Sequence, residues 1–159
     1  MILRGIAVLA LLTGLTTAPA SAQGTGTEAC SENVPPVSSQ YIRNKGDSRI
    51  IYGAVQLRRD TCYQYWGYVQ LYQPMNSSNE RASAFLVWWE EGVHQFVLSC
   101  ADPGGNGYIV SGQTTCRTPK KSRALVDGFL ASAHMDVRAD GDVWRTFGVG
   151  QTARMPGGV

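Results

Sequence analysis

Ile51-Tyr-Gly-Ala-Val-Gln-Leu-Arg-Arg-Asp-Thr-Cys-Tyr-Gln-Tyr-Trp-Gly-Tyr-Val-Gln-Leu-Tyr72 is the stretch that decides the fold class of this 159-residue chain. Two runs of alternating character flank the polar break Arg59-Asp60-Thr61. In the first, Ile51 to Arg58, Val55 and Leu57 take one side against Ala54 and Gln56. In the second, Cys62 to Tyr72, Tyr63, Tyr65, Val69 and Leu71 alternate with Gln64, Trp66, Tyr68 and Gln70. A period of two is the side-chain repeat of a β-strand, and aromatic and β-branched residues suit a pleated, half-buried surface. The pair reads as two strands joined at a turn.

The same grammar continues in both directions. Pro74 to Asn79 is a loop. Ala82 to Trp89 and Val93 to Cys100 read as a hairpin closed by Glu90-Glu91-Gly92. Asp102-Pro-Gly-Gly-Asn-Gly107 is the strongest turn signal, and it leads into an expected strand at Tyr108–Thr114. Ala124 to Ser132 fits a short helix, with Leu125, Phe129 and Leu130 on one face, or a strand broken at Gly128. Ala133–Ala139 and Val143–Val149 flank Asp140-Gly141, which predicts a two-residue hairpin turn. Short strands at regular spacing, with Gly-rich turns and at most one short helix, predict an all-β domain: a small antiparallel barrel or sandwich. Residues 50–150 are the expected β domain, 23–49 an N-terminal arm tied down by Cys30, and 151–159 a flexible tail.

The first 22 residues carry an address. Arg4 gives a basic start, Gly5 to Leu15 an apolar run, and Ala20-Ser21-Ala22 a small-x-small cleavage site. This is the layout of a secretory signal peptide, too short in its apolar part to span a bilayer. Secretion with no membrane anchor after cleavage is the expectation. The formal net charge of +2 includes Arg4, so the exported part is close to neutral. That balance argues against nucleic acid as a partner. The densest basic cluster, Arg117, Lys120, Lys121 and Arg123, reads as a solvated loop because it lacks extent and interleaved aromatic residues.

Cys30, Cys62, Cys100 and Cys116 form an even set in an exported chain, which predicts two disulfides. Three pairings are open, and Cys30–Cys62 with Cys100–Cys116 is favoured because each closes a loop within one half of the chain. No Cys-x-x-Cys pair is present to suggest zinc.

Within residues 55–69, Leu57, Arg58, Cys62, Trp66 and Val69 resemble the signature LRYSxxCxxxWARV of a domain-of-unknown-function family of small secreted proteins. That family is common in actinomycetes and includes a secreted bacillus protein. Arg59-Asp60 stands in place of the aromatic–serine pair, and Gly67-Tyr68 in place of alanine–arginine. The resemblance implies a small β domain without an established activity. Because the family tends to carry a cysteine well upstream, it also supports the Cys30–Cys62 pairing.

Chemistry-bearing residues are sparse. Glu91-Gly-Val-His94 has the spacing of a metal pair, but that spacing works on a helix, and on a strand it places the two residues on opposite faces. Asp136, Asp140 and Asp142 gather near one turn but miss the EF-hand pattern. His134 and Asp136 share strand parity, as an orienting pair for a general base would. A small hydrolase would draw on them with Arg138 or Glu90, although no nucleophile elbow is present. Asn76-Ser77-Ser78 matches a glycosylation acceptor. Nothing calls for a cofactor or a metal.

The aromatic residues carry the functional expectation. Trp88 and Trp89 are adjacent, so on a strand they point to opposite faces, and Trp66, Tyr68 and Tyr72 share a parity that makes one stripe. Exposed indole and phenol rings stack on sugars and anchor protein partners. The expectation is a monomeric, non-enzymatic binding domain that meets an extracellular carbohydrate, such as a cell-wall polysaccharide, or a protein through Trp66, Tyr68, Tyr72, Trp88 and Trp89. The alternative is a secreted inhibitor of an extracellular hydrolase, presenting the loop Ala101 to Gly107.

Overall fold

A computed structural model gives the architecture of the protein and describes residues 29–92 and 94–157. The expected signal peptide at 1–22 lies outside the described residues. Among the described residues ten strands follow in chain order: β1 Ser38–Asn44, β2 Ile51–Arg59, β3 Gln64–Leu71, β4 Glu80–Glu90, β5 His94–Ser99, β6 Thr115–Arg117, β7 Lys121–Ser122, β8 Gly128–Arg138, β9 Trp144–Gln151 and β10 Met155–Pro156. They form one antiparallel sheet in the order β5-β4-β8-β9-β1-β2-β3-β6, with β7 added to β3 and β10 to β8. The sheet curls into a nearly closed barrel, and both disulfides form as Cys30–Cys62 and Cys100–Cys116.

Inward positions fill the barrel. Val55 and Leu57 of β2, Val69 of β3, Leu86 of β4, Phe129 of β8 and Ile42 of β1 are all completely buried. Each such side chain contributes about 1.5–3 kcal/mol relative to exposure. Tyr65 and Phe129 stack across the interior with ring centroids 4.3 Å apart.

Closure falls to the segment after the Gly-rich turn. Expected as a regular strand over 108–114, it instead makes two isolated bridges, Ile109 to Ala82 and Ser111 to Met75, before β6 pairs with β3. These bridges stitch the end of β3 to the start of β4. Gly67 permits the approach farther along the seam, since a methyl group there would lie 2.8 Å from the Phe85 carbonyl oxygen. The Cys100–Cys116 bond crosses the same seam, and the Ala84 N–H points at both sulfurs, at 3.1 and 3.2 Å.

Four expectations are corrected. The segment read as an arm contains β1, which sits between β9 and β2 inside the sheet. The helix option at 124–132 fails. Leu125 takes a positive φ of 63°, and from Gly128 the chain is one long strand with Phe129, Ala131, Ala133 and Met135 buried. The connection after β8 is a three-residue 3-10 turn, Asp140–Asp142, closed by the Ala139 N–H donating to Val143 C=O at 2.8 Å. The tail is held: Met155 and Pro156 pair with Phe129 and Gly128, and Thr152 is buried.

Two register shifts mark one end of the barrel. Ile42 pairs with Gly53 but Arg43 with Ile51, so Tyr52 is an extra residue on β2. Met135 pairs with Gly148 but Asp136 with Thr146, so Phe147 is an extra residue on β9. Such bulges redirect side chains at barrel rims. Here they bring Tyr52 and Phe147 edge to face, with centroids 5.5 Å apart.

Candidate binding surface

The β2–β3 hairpin tip is built around a buried acid. Asp60 is 2% exposed. Its Oδ1 accepts the Cys62 and Gln64 N–H groups at 3.0 and 2.9 Å, and its Oδ2 accepts Lys120 Nζ at 2.8 Å. Burial alone would raise the Asp60 carboxyl pKa. The Lys120 ammonium and the two N–H donors outweigh burial and hold it below its usual range. Lys120 also reaches Glu32 at 2.7 Å, and Arg117 approaches Glu32 at 3.4 Å. The Lys120 hydrogen bond lowers the Glu32 pKa first and foremost. Cys30–Cys62 brings Glu32 to this place, helped by Thr61 N–H donating to Ser31 C=O at 3.1 Å.

These ions change the meaning of the aromatic stripe. Trp66 faces outward from β3, yet it is only 2% exposed, with Lys120 Nζ 4.9 Å from its ring centroid. Tyr68 is half-buried under Arg58, whose guanidinium carbon lies 4.8 Å from the ring. Tyr72, just past β3, is 56% exposed. Trp88 and Trp89 do take opposite faces. Trp88 joins the core, stacks on Phe96 at 5.4 Å, donates its Nε1–H to Glu90 at 2.9 Å and carries Lys121 at 5.1 Å. Trp89 lies outside beneath Arg154 at 4.2 Å. Trp144 receives Arg81 at 4.1 Å, and the same guanidinium lies 4.7 Å from Tyr108. Every tryptophan ring therefore carries one of the protein's own cations. Of the five aromatic residues expected to bind, only Tyr72 presents a largely open ring.

What the tip offers instead is a basic and aromatic rim. Tyr63 sits at a positive φ of 58°, is 48% exposed, and has Arg59 and Arg123 at 5.2 and 5.4 Å from its ring. A bulky residue in the left-handed region is uncommon, and the fixed turn around Asp60 holds it there. Lys120, Lys121 and Arg117 are paired with Asp60, Glu90 and Glu32. Among the described residues, no carboxylate pairs with Arg58, Arg59 or Arg123. The sequence placed the basic cluster in a loop but could not separate paired cations from unpaired ones.

The other constellations come apart. Asp136 accepts Arg81 at 3.3 Å and Thr146 at 2.8 Å, and the His134 ring packs 4.9 Å from Phe85. Glu90 is engaged by Trp88 and Lys121, and Arg138 by Asp142 at 2.7 Å. Four residues considered for hydrolysis are thus held in separate contacts. Glu91 lies in the β4–β5 turn, just ahead of the strand that His94 begins. Among the described residues, no three His, Cys, Asp or Glu side chains gather to hold a metal ion. The loop at 101–107 is tied by Gly107 N–H to Cys100 C=O at 2.8 Å and by Arg117 N–H to Asn106 Oδ1 at 2.6 Å.

Comparison with protein-family models, curated proteins and solved structures finds no match to this chain.

Proposed function

We propose that this protein is a secreted, non-enzymatic binding domain that engages an acidic extracellular polysaccharide through the rim formed by Arg58, Arg59, Tyr63, Tyr68 and Arg123. The observation that carries this reading is a set of arginines without a carboxylate partner among the described residues, Arg59 and Arg123 on the exposed Tyr63 ring and Arg58 on the half-buried Tyr68 ring, beside a turn fixed by a disulfide and a buried aspartate. Guanidinium groups bind carboxylate and sulfate oxygens in pairs, and a Tyr ring gives a sugar face something flat to meet. A preformed turn loses little entropy on binding.

Secretion is part of the proposal. The leader-like residues 1–22 support it, and two disulfides suit an oxidising compartment. Among the described residues, no helix is long and apolar enough to cross a membrane. Kinship with the domain-of-unknown-function family is likewise proposed, supported by where its signature falls. Leu57 and Val69 are core, Trp66 is buried and Cys62 is bonded, so these matches preserve a hairpin.

The test is sedimentation of the protein with alginate and with neutral dextran at low and high salt. Binding to alginate that weakens with salt and is lost in Arg59→Ala/Arg123→Ala is the expected result. Equal retention on dextran, or retention by the double variant, overturns the assignment. A protein ligand is the second reading, favoured by the tied loop at 101–107. Inhibition in a panel of extracellular hydrolases, abolished by changes in that loop, would establish it.

A further inference from the structure

We propose that the opposite end of the barrel is a binding site for a small amphipathic amine, its apolar body held between Met75, Met135 and Phe147 and its ammonium group at Glu80. This reading is independent of the arginine rim, since β2 and β3 run from one end to the other: the rim lies at their turn and this cavity at Tyr52 and Leu71.

The cavity measures about 260 Å³ and opens into the barrel mouth. That is larger than the about 150 Å³ that accommodates a benzene ring and below the about 300 Å³ at which sites for drug-sized ligands begin. One ring with a short chain fits the space. Its floor is apolar and buried, with Leu71, Met75 and Met135 no more than 5% exposed. Thioether side chains adapt their shape and make favourable contacts with aromatic rings.

The walls are made by sequence irregularities. Tyr52 and Phe147 are the extra residues of the two bulges, and each would lie on the ordinary ladder if its bulge were absent. Two independent bulges converge on one cavity. Asn44 Nδ2 donates to the Tyr52 hydroxyl at 2.6 Å, which fixes that ring and leaves its edge against Phe147. Bulges concentrate at barrel rims and beside active sites because they aim side chains that a regular strand cannot.

Charge selects the ligand class. Among the described residues lining the cavity, Glu80 alone is ionic, and among the described residues it forms no ion pair. A half-buried carboxylate beside an apolar cavity favours a ligand that brings a cation and a hydrocarbon body together. An acid would be repelled, and a neutral hydrocarbon would leave the carboxylate unused.

The experiment uses protein labelled at the methionine methyl carbons, titrated with phenethylamine and separately with 2-phenylethanol. Met75 and Met135 line the cavity, while Met155 lies in β10 and serves as the internal control. Saturable shifts of the Met75 and Met135 methyls, with Met155 still, are expected. Phenethylamine should bind about tenfold tighter than the alcohol, the value of one hydrogen-bonded charge. Glu80→Gln should erase that difference while keeping the dispersed spectrum and alcohol binding. Three outcomes overturn the proposal: no shift of either methyl in folded protein, equal affinity for amine and alcohol, or methyl shifts that grow with protein concentration alone. The last would mean that a second copy of the chain occupies the mouth.

Discussion

Lys120 covers Trp66, its ammonium 4.9 Å from the ring centroid while it also bonds buried Asp60 at 2.8 Å. One lysine thereby hides an outward-facing indole and neutralises an acid that the β2–β3 turn needs. The two tasks can be separated by substitution. Lys120→Ala uncovers Trp66 and leaves Asp60 without its counter-ion, so it should destabilise the fold by about 2–3 kcal/mol. Tryptophan emission in the still-folded variant should move to longer wavelength. Lys120→Arg should recover most of the stability. An alanine variant as stable as the wild type would show that the ion cluster is ornamental.

The same cluster sets a pH window. Asp60 and Glu32 are held below their ordinary values of 3.8 and 4.5 in the folded chain. Groups lowered by folding stabilise it above the unfolded pKa, and that stability is lost as pH falls through the folded one. Lys120 is shifted the other way. Burial would lower it, but bonds to Asp60 and Glu32 raise it above 10.5. Its contribution is therefore full below 10.5 and lost as pH rises through the higher folded value. Thermal unfolding should show a plateau between these limits and an acid decline beginning near pH 4.5. In Asp60→Asn that acid decline should be shallower and the plateau lower. An unchanged profile would remove Asp60 from the account.

How much of this was legible in the sequence depends on how far apart the interacting residues lie. Alternation over Ile51–Tyr72 is a local property, and it correctly gives β2 and β3. The strand β1 escaped because Ile42 is its one buried residue and polar neighbours surround it. The inward row of β8 is Phe129, Ala131, Ala133 and Met135, whose two alanines make a weak apolar signal. The opposite faces of Trp88 and Trp89 followed from strand parity. Their cation caps did not, because Lys121 and Arg154 arrive from remote segments. The bulges at Tyr52 and Phe147 were equally hidden, since a one-residue shift is a property of two strands together.

Closure of the barrel rests on a staple, and this too can be measured. Cys100–Cys116 ties β5 to β6 across a sequence separation of 16, where short bridges replace a full ladder. The double change Cys100→Ser/Cys116→Ser should cost about 3 kcal/mol, the usual effect of releasing a loop of this length. Amide exchange should rise first at Ile109, Gly112 and Ala84, whose N–H groups point along the seam to Ala82 C=O, Met75 C=O and the disulfide sulfurs. Uniform loss of protection over the whole sheet would indicate that the seam is no weaker than the rest.

Leu125 tests whether strain can be relieved at no cost in packing. Its φ of 63° is in the left-handed region, and it is 89% exposed, so the side chain gains little burial in return. A left-handed conformation costs a residue with a Cβ about 1–2 kcal/mol, whereas glycine adopts it freely but loses more entropy on folding. The difference predicts that Leu125→Gly stabilises the protein by about 0.5–1 kcal/mol. Leu125→Ala keeps the Cβ and should give no gain, which separates backbone relief from loss of an exposed apolar group. Urea unfolding at constant slope reads both changes as midpoint shifts. A lower midpoint for the glycine variant would mean that Leu125 is held in place by a contact worth more than its strain.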